Sequence, residues 1–250
     1  MTRPDRIAST WIARMSQVVD PALRVASLRS ELVAFEESLV AEVFHAVTEG
    51  ADAGLADFRH LLLLASVAIA QPELEPKKRE AGRLARDRGL FAAAELLLPE
   101  PKPKTLDEDA PAPGTIPRAP GRALTLGERK SLARRVHRHV LERVLLDPSS
   151  DVIRFLLGNP SLTEADVVRV SARRPVAPEV LREVFLSTRW VLRYGVRLAL
   201  VKNPSLDTDL GLVLVRQLTR QDAEAVSAST ELSFSVRETA MREARRLPLH

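Results

Sequence analysis

The chain of 250 residues contains no cysteine. This absence excludes disulfides, thiolate nucleophiles, cysteine-ligated zinc and iron–sulfur clusters, and it fits a reducing compartment. Aromatic residues make up only 4% of the chain, and glycines number only 10. No glycines have the spacing of a phosphate-binding loop, either G-x-G-x-x-G or G-x-x-x-x-G-K-[ST], so nucleotide hydrolysis is not expected.

Long apolar runs are also missing. The longest, at residues 61–70, is much shorter than the roughly 20 apolar residues that a membrane-spanning helix needs. Residues 1–6 lack the charged-then-apolar order of a secretory signal. We therefore expect a cytoplasmic protein without a membrane span.

Side-chain constellations that could carry chemistry are absent too. No serine has the G-x-S-x-G setting of a nucleophile elbow. His137 and His139 lie two residues apart, so on the predicted helix they would face opposite sides and could not share a metal ion. The sequence therefore predicts no catalytic residue, no metal ligand and no cofactor, and hence no enzyme. An enzyme on a helical-repeat scaffold would need a carboxylate among aromatics, for which only Trp190 and Tyr194 are candidates.

Proline divides the chain. Seven of the 17 prolines fall within residues 99–120, where they favour an extended linker over a helix or a strand. We therefore predict three parts: a helical bundle at residues 1–98, a Pro-rich flexible linker at 99–123 and a helical-repeat domain at 124–250. In the first part, apolar residues recur at helical spacing from residue 21 to 47, which predicts a bundle of four or five helices.

Two segments match each other at an offset of 44 residues. They are DVIRFLLGNPSL at 151–162 and GVRLALVKNPSL at 195–206. A fixed period of this size is typical of stacked helical repeats. The residue before a proline disfavours the α conformation, so Asn159 and Asn203 are each predicted to end a helix. Thr163 and Asp166 then form a variant of the capping box at the start of the next helix. The fold class predicted is all-α, with a C-terminal α-solenoid.

Basic side chains concentrate in residues 124–250, with 21 Lys and Arg against 15 Asp and Glu. Nearly all are arginine, whose planar fork of donors suits phosphate and carboxylate, although GC-rich coding also favours arginine. Arg193 and Arg197 are predicted to project from one face of a helix that begins near Arg189. The candidate binding residues are Arg129, Arg134, Arg138, Arg154, Arg189, Trp190, Arg193, Tyr194 and Arg197. The alternative is ordinary solvated charge, with Trp190 and Tyr194 packed between repeats.

Four motifs carry a resemblance to a known family: LGERKSLA at 126–133, VIRxLLxNP at 152–160, TEADVV at 163–168 and WxxxYxVxxALxxNP at 190–204. Residues 124–247 resemble an uncharacterised HEAT-like helical-repeat family of myxobacteria and other deltaproteobacteria. More distantly they resemble leucine-rich-repeat-variant and HEAT α-solenoids. The resemblance implies a fold and no activity. The iron–sulfur cluster of leucine-rich-repeat-variant relatives conflicts with a cysteine-free chain.

Two functional hypotheses follow. The first is a non-enzymatic interaction scaffold that binds a protein or peptide in a groove of the repeats. The alternative is a nucleic-acid-binding protein that uses the Arg-rich surface, where each neutralised phosphate releases counterions. A continuous positive groove would favour nucleic acid, whereas a mixed-charge rim around an apolar groove would favour a peptide or protein. The sequence leaves the partner and the oligomeric state open.

Overall fold

A computed structural model describes residues 2–98 and 124–246 of the chain. Every regular element in these two ranges is a helix, so the predicted all-α class is confirmed. The helices form two compact units, one from the described residues of 1–102 and 208–250 and the other from those of 103–207. The predicted linker at residues 99–123 lies outside the described residues. No helix within the described ranges is long and apolar enough to cross a membrane.

The first unit combines helices from both ends of the chain. Its helices are α1 (Arg3–Gln17), α2 (Pro21–Ala34), α3 (Glu37–Asp52), α4 (Ala56–Ile69), α5 (Glu75–Asp87), α6 (Phe91–Leu97), α14 (Thr208–Val215), α15 (Arg220–Ser227) and α16 (Phe234–Arg245), with a 3₁₀ turn at Pro72–Leu74. The N-terminal part thus holds six helices within the described residues, where the periodicity predicts four or five. The single predicted helical stretch at 21–47 is divided at Phe35 and Glu36, which are extended.

Two helices of the first unit are buried on all sides. In α4, every residue from Leu61 to Ile69 is buried, and in α14 every residue from Thr208 to Val215 is buried. Helix α4 packs against α1, α2, α3 and α14, and α14 packs against α6 and α16 as well. A helix that is apolar around its whole circumference must be covered on every side.

This requirement explains why the structure groups the chain differently from the predicted domains. The sequence analysis places residues 124–250 in one repeat domain, but residues 208–250 belong to the unit that contains the N-terminal helices. The apolar surface of α14 is covered there by α4 and α6. Burial of that surface decides the grouping, because apolar area removed from water is the largest favourable contribution to folding.

Buried charges also bind α14 and α16 into the first unit. Arg216 is fully buried, and its Nε donates to Asp52 Oδ1 at 2.7 Å. Arg59 donates to the buried carboxylate of Glu243, and Gln217 Nε2 donates to the Arg59 carbonyl at 2.7 Å. Burial raises the pKa of Glu243 above its ordinary value, although Arg59 acts in the opposite direction. These pairs join residues more than 150 positions apart in the sequence.

The second unit consists of short helices. They are α7 (Leu126–Ala133), α8 (Arg138–Val144), α9 (Ser150–Leu157), α10 (Glu164–Ala172), α11 (Pro178–Leu186), α12 (Thr188–Val191) and α13 (Tyr194–Val201). Helix α9 packs between α7 and α11, and α13 packs against α10. The capping box predicted at Thr163 and Asp166 is present, and a second one joins Thr125 to Glu128.

The sequence predicts one helix near residues 126–145 and another near 188–201, and the structure breaks both. The first is divided into α7 and α8, and the second into α12 and α13. In each break, side-chain donors take carbonyls that would otherwise accept intrahelical bonds. The Asn159 amide binds the carbonyls of Ala133 and Arg135, and the Arg197 guanidinium binds those of Val191 and Leu192. Because side-chain donors compete with backbone N–H groups for these carbonyls, a helix can end here although no glycine or proline interrupts it.

Candidate interaction surface

An asparagine side chain fastens α9 to the end of α7. Asn159 Nδ2 donates to the carbonyls of Ala133 and Arg135, both at 2.8 Å. Its Oδ1 accepts a hydrogen bond from the backbone N–H of Ser161 at 2.9 Å. Asn159 is 2% exposed. The buried amide thus satisfies two carbonyls at the C-terminal end of α7, where intrahelical donors are absent.

Asn203 makes the same set of bonds 44 residues later. Its Nδ2 donates to the carbonyls of Ser171 at 2.8 Å and Arg173 at 2.9 Å, and its Oδ1 accepts from the Ser205 N–H at 3.0 Å. We call each set an asparagine clamp. We call residues 125–162 the first block and residues 163–206 the second block, since each contains one complete clamp.

Three of the predicted binding arginines are paired with carboxylates. The pairs are Arg129–Asp147 at 2.6 Å, Arg138–Asp166 at 2.5 Å and Arg154–Glu183 at 2.6 Å. The carboxylates of Asp147 and Asp166 are almost completely buried. The Arg138 guanidinium binds both oxygens of Asp166, which is the strong bidentate geometry. These three arginines therefore connect elements of the unit.

The pair of Arg138 and Asp166 gives a pH-dependent prediction. Hydrogen bonds from Arg138, and then from Thr163, hold the pKa of the Asp166 carboxyl well below its ordinary range. A carboxylate with a lowered folded-state pKa stabilises the fold above its unfolded pKa of about 3.9, and this contribution is lost as the pH falls further. We therefore expect Arg138→Met to unfold more easily than the wild type at neutral pH, with the deficit shrinking between about pH 4 and pH 2.

Urea denaturation at a series of pH values measures this deficit. The matched control is Arg169→Met, because Arg169 lies 3.8 Å from the same carboxylate and its side chain is 58% exposed. The control is expected to show a smaller deficit at every pH. A deficit for Arg138→Met that does not change across the acid range would contradict the assignment.

Arg189 and Trp190 bind backbone carbonyls at the C-terminal end of α9. Trp190 is 4% exposed, and its Nε1 donates to the Leu157 carbonyl at 2.8 Å. Arg189 Nη1 donates to the Asn159 carbonyl at 3.2 Å, and its guanidinium lies 4.5 Å from the centroid of the Trp190 ring. Trp190 thus belongs to the packing between the blocks. The Trp190 ring is packed inside the unit and is not exposed for binding.

Arg193 and Arg197 lie at the start of α13 and differ in exposure and in partners. Arg193 is the N-cap residue of α13, beyond the end of the helix that contains Arg189. Arg197 is half-buried and donates to the Leu192 carbonyl at 2.8 Å, and burial lowers its pKa. Its guanidinium also lies 5.6 Å from the centroid of the Tyr194 ring. The Arg193 side chain is exposed and has no partner among the described residues. The helix expected to begin near Arg189 is interrupted before Arg193, and the Arg197 guanidinium binds the carbonyls of Val191 and Leu192 at that interruption.

One candidate arginine lies on an aromatic ring. The Arg134 guanidinium is 4.3 Å from the centroid of the Phe155 ring, and Lys130 Nζ is 5.6 Å from the same centroid. Lys130 also binds Asp151 at 2.9 Å. Arg135 follows and is exposed. We call Lys130, Arg134, Arg135 and Phe155 the cationic cluster.

The two neighbouring histidines differ from the sequence expectation. The rings of His137 and His139 stack with their centroids 5.8 Å apart, because His137 precedes α8 and is not helical. The argument that they face opposite sides of a helix is therefore wrong. Within residues 2–98 and 124–246, no group of three or more His, Asp or Glu side chains is placed to hold a metal ion.

Sequence reasoning missed the acceptors of the arginines. Asp147 is fully buried, binds Arg129 and also accepts from the Ser149 N–H at 2.9 Å. The signal is the triplet Asp-Pro-Ser at 147–149, which parallels Asn-Pro-Ser at 159–161 and 203–205. An Asx side chain that accepts from a residue two positions later forms a turn of its own. The triplet thus marks three equivalent turns.

Comparison with known proteins adds no relative. No family model matches the chain, and no curated protein or solved structure is significantly similar to it.

Proposed function

We propose that the chain is a non-enzymatic interaction scaffold, in which residues 125–206 form a HEAT-like helical-repeat segment that binds a protein or peptide. The resemblance of residues 124–247 to HEAT-like repeats supports the repeat architecture, as do the two identical asparagine clamps. Stacked repeats of this kind present extended surfaces to other macromolecules.

The observation that supports this function best is the neutralisation of the basic residues. Charges of alternating sign run from α7 across α9 to α11: Lys130–Asp151 at 2.9 Å, Arg154–Asp151 at 3.7 Å and Arg154–Glu183 at 2.6 Å. A further pair joins Arg182 to Asp207 at 2.8 Å. A phosphodiester backbone requires cations that are free to replace its counterions. A surface of mixed sign favours a protein partner with a complementary pattern.

The alternative of nucleic-acid binding rests on the cations that have no carboxylate partner among the described residues. In the second unit they include Arg134, Arg135, Arg189, Arg193 and Lys202, which are exposed. A complex formed through these cations would depend less steeply on salt than one that neutralises about 6–10 phosphates.

The test uses the full chain, immobilised and panned against a displayed library of random peptides. In parallel, fluorescence anisotropy measures the binding of a labelled DNA duplex and a labelled single strand across a salt series. We expect enrichment of a peptide motif, and DNA binding that disappears at physiological salt. The opposite result is DNA binding that persists at physiological salt and depends steeply on salt, without enrichment of any peptide. That result would favour a nucleic-acid-binding protein over the scaffold.

A further inference from the structure

The cationic cluster is the part of the second unit that its fold uses least. Arg134 is exposed, and among the described residues its guanidinium contacts only the half-buried Phe155 ring, at 4.3 Å. Arg135 is exposed and its side chain has no partner in the same described ranges. Most other arginines considered above bind carboxylates or carbonyls that hold the unit together. Arg134 and Arg135 therefore differ from the neighbouring arginines, whose side chains bind carboxylates or carbonyls within the unit.

Comparison of the two blocks shows that a clamp can form without Lys130, Arg134 and Phe155, whereas the equivalent of Arg135 is another arginine, Arg173. The asparagine clamps make Ala133 equivalent to Ser171, since both carbonyls accept the same amide bond. Counting from the equivalent residues Ala133 and Ser171 matches Lys130 to Val168 and Arg134 to Ala172. The 44-residue offset matches Phe155 to Ala199. The second block thus forms its clamp with small and apolar residues where the first block has two cations and an aromatic ring.

The geometry of Arg134 leaves its donors available. A guanidinium stacked on an aromatic ring keeps its N–H groups in the plane of the fork, where they can bind a carboxylate through two parallel bonds. The stacking also holds the side chain in place, so less conformational freedom is lost when an anion binds. Lys130 adds positive charge 5.6 Å from the same ring centroid, and Arg135 follows Arg134 in the sequence.

The neighbouring acidic residues determine which anionic partner fits. Asp151 binds Lys130 of the cluster, and Glu183 is linked to Asp151 through Arg154. A continuous phosphodiester chain passing Lys130 would meet the Asp151 carboxylate, and like charges disfavour such a contact. A peptide can place a carboxylate on Arg134 and an apolar side chain on the edge of Phe155 while it avoids the acidic residues.

We propose that the cationic cluster is a docking site for an acidic peptide segment of a partner protein, with Arg134 binding a glutamate or aspartate carboxylate and Phe155 contacting an adjacent apolar side chain. This inference rests on the proposed scaffold function and names the chemistry of its partner.

The experiment titrates the full chain into a short fluorescein-labelled peptide of glutamate, leucine and serine. The matched probe carries glutamine at every glutamate position. We expect the glutamate peptide to bind with an affinity that falls as salt is added, and the glutamine peptide not to bind. Arg134→Ala should raise the Kd about tenfold or more, because it removes hydrogen bonds to a charged group. Phe155→Leu, which keeps an apolar side chain but removes the stacking surface, should raise it severalfold.

Two controls separate this site from general attraction to a basic protein. Arg220→Ala removes the same charge from an exposed position in the other unit and should leave the Kd unchanged. Arg134→Lys keeps the charge but loses the planar fork, so it should bind nearly as weakly as Arg134→Ala. Circular dichroism confirms that each variant is folded.

The outcomes distinguish the two proposals. Equal loss from Arg220→Ala and Arg134→Ala, or wild-type binding by Arg134→Lys, would overturn the assignment of this site. So would equal binding of the glutamine peptide. If any of these results is obtained and the random library still yields enriched peptides, the scaffold function is supported and its binding site lies elsewhere on the chain. Tighter binding of a labelled single-stranded DNA than of the glutamate peptide, abolished by Arg134→Ala, would assign the cluster to nucleic acid.

Discussion

Replacing Lys78 by methionine, with Asp209 retained, is expected to lower the free energy of unfolding by about 3–5 kcal/mol. Lys78 Nζ on α5 donates to the Asp209 carboxylate on α14, and each side chain is only 6% exposed. Removing the ammonium leaves a buried carboxylate without its counter-charge, and the cost of desolvating that charge is then uncompensated. Chemical denaturation followed by circular dichroism measures the change.

A double variant tests this reason. Lys78→Met combined with Asp209→Leu is expected to recover most of the lost stability, because an apolar pair of similar volume needs no charge compensation. The surface control is Arg83→Met on the same helix, whose pair with Glu80 is 65% and 49% exposed. This control should change the unfolding free energy by less than about 0.5 kcal/mol. If the single variant of Lys78 is as stable as the control, then the pair is not buried in solution.

Asn203→Ala is expected to lower the free energy of unfolding by about 3 kcal/mol, because it leaves two buried carbonyls without donors. The two bonds lost are those to Ser171 and Arg173, and the Asn203 side chain is 2% exposed. Asn203→Asp should destabilise at least as much, because it keeps the acceptor but removes both donors and adds a buried charge. Asn159→Ala should behave in the same way, since Asn159 makes the equivalent bonds.

Ser205→Ala is the matched control for the clamp. The backbone N–H of Ser205 donates to Asn203 Oδ1 at 3.0 Å, and this substitution keeps that group. Its stability should stay within about 0.5 kcal/mol of the wild type. An Asn203→Ala variant that is as stable as Ser205→Ala would show that water satisfies the two carbonyls and that the clamp contributes little.

Local signals in the sequence predict much of the helical structure. A proline is suited to the first turn of a helix, and Pro178 is the first residue of α11. The capping box of Thr163 and Asp166 is confirmed in α10. These features succeed because their donors and acceptors lie within a few residues of each other, where backbone propensity and side-chain capping act together.

Features that depend on distant residues were not predicted. The run of apolar residues in α14 shows no helical periodicity, which is typical of a helix buried on all sides, but it does not reveal which elements provide the cover. The partners of Arg216 and Glu243 lie in α3 and α4, more than 150 positions away. Single-sequence patterns carry no information on such pairs.

The candidate site was predicted only in part. Arginine identity and spacing indicate a basic surface, but they do not show that Arg129, Arg138 and Arg154 are neutralised by Asp147, Asp166 and Glu183. These candidates serve the fold, and Arg193 remains exposed. Arg134 also remains exposed, and its contact with Phe155 could have been suggested by the comparison of the two blocks.

The asparagine clamps have a consequence for how this chain can change in length. Each clamp has its donor and both acceptors inside one block, so a duplication of that stretch of gene copies a complete module. Several bonds from the second block to the first run to backbone carbonyls, as from Trp190 to Leu157 and from Arg189 to Asn159. A carbonyl is present whatever the side chain, so these contacts tolerate sequence change in the first block, unlike the Arg138–Asp166 and Arg154–Glu183 pairs. A designed chain with one block duplicated would therefore keep these backbone contacts and would need new side-chain pairs only at the two charged positions.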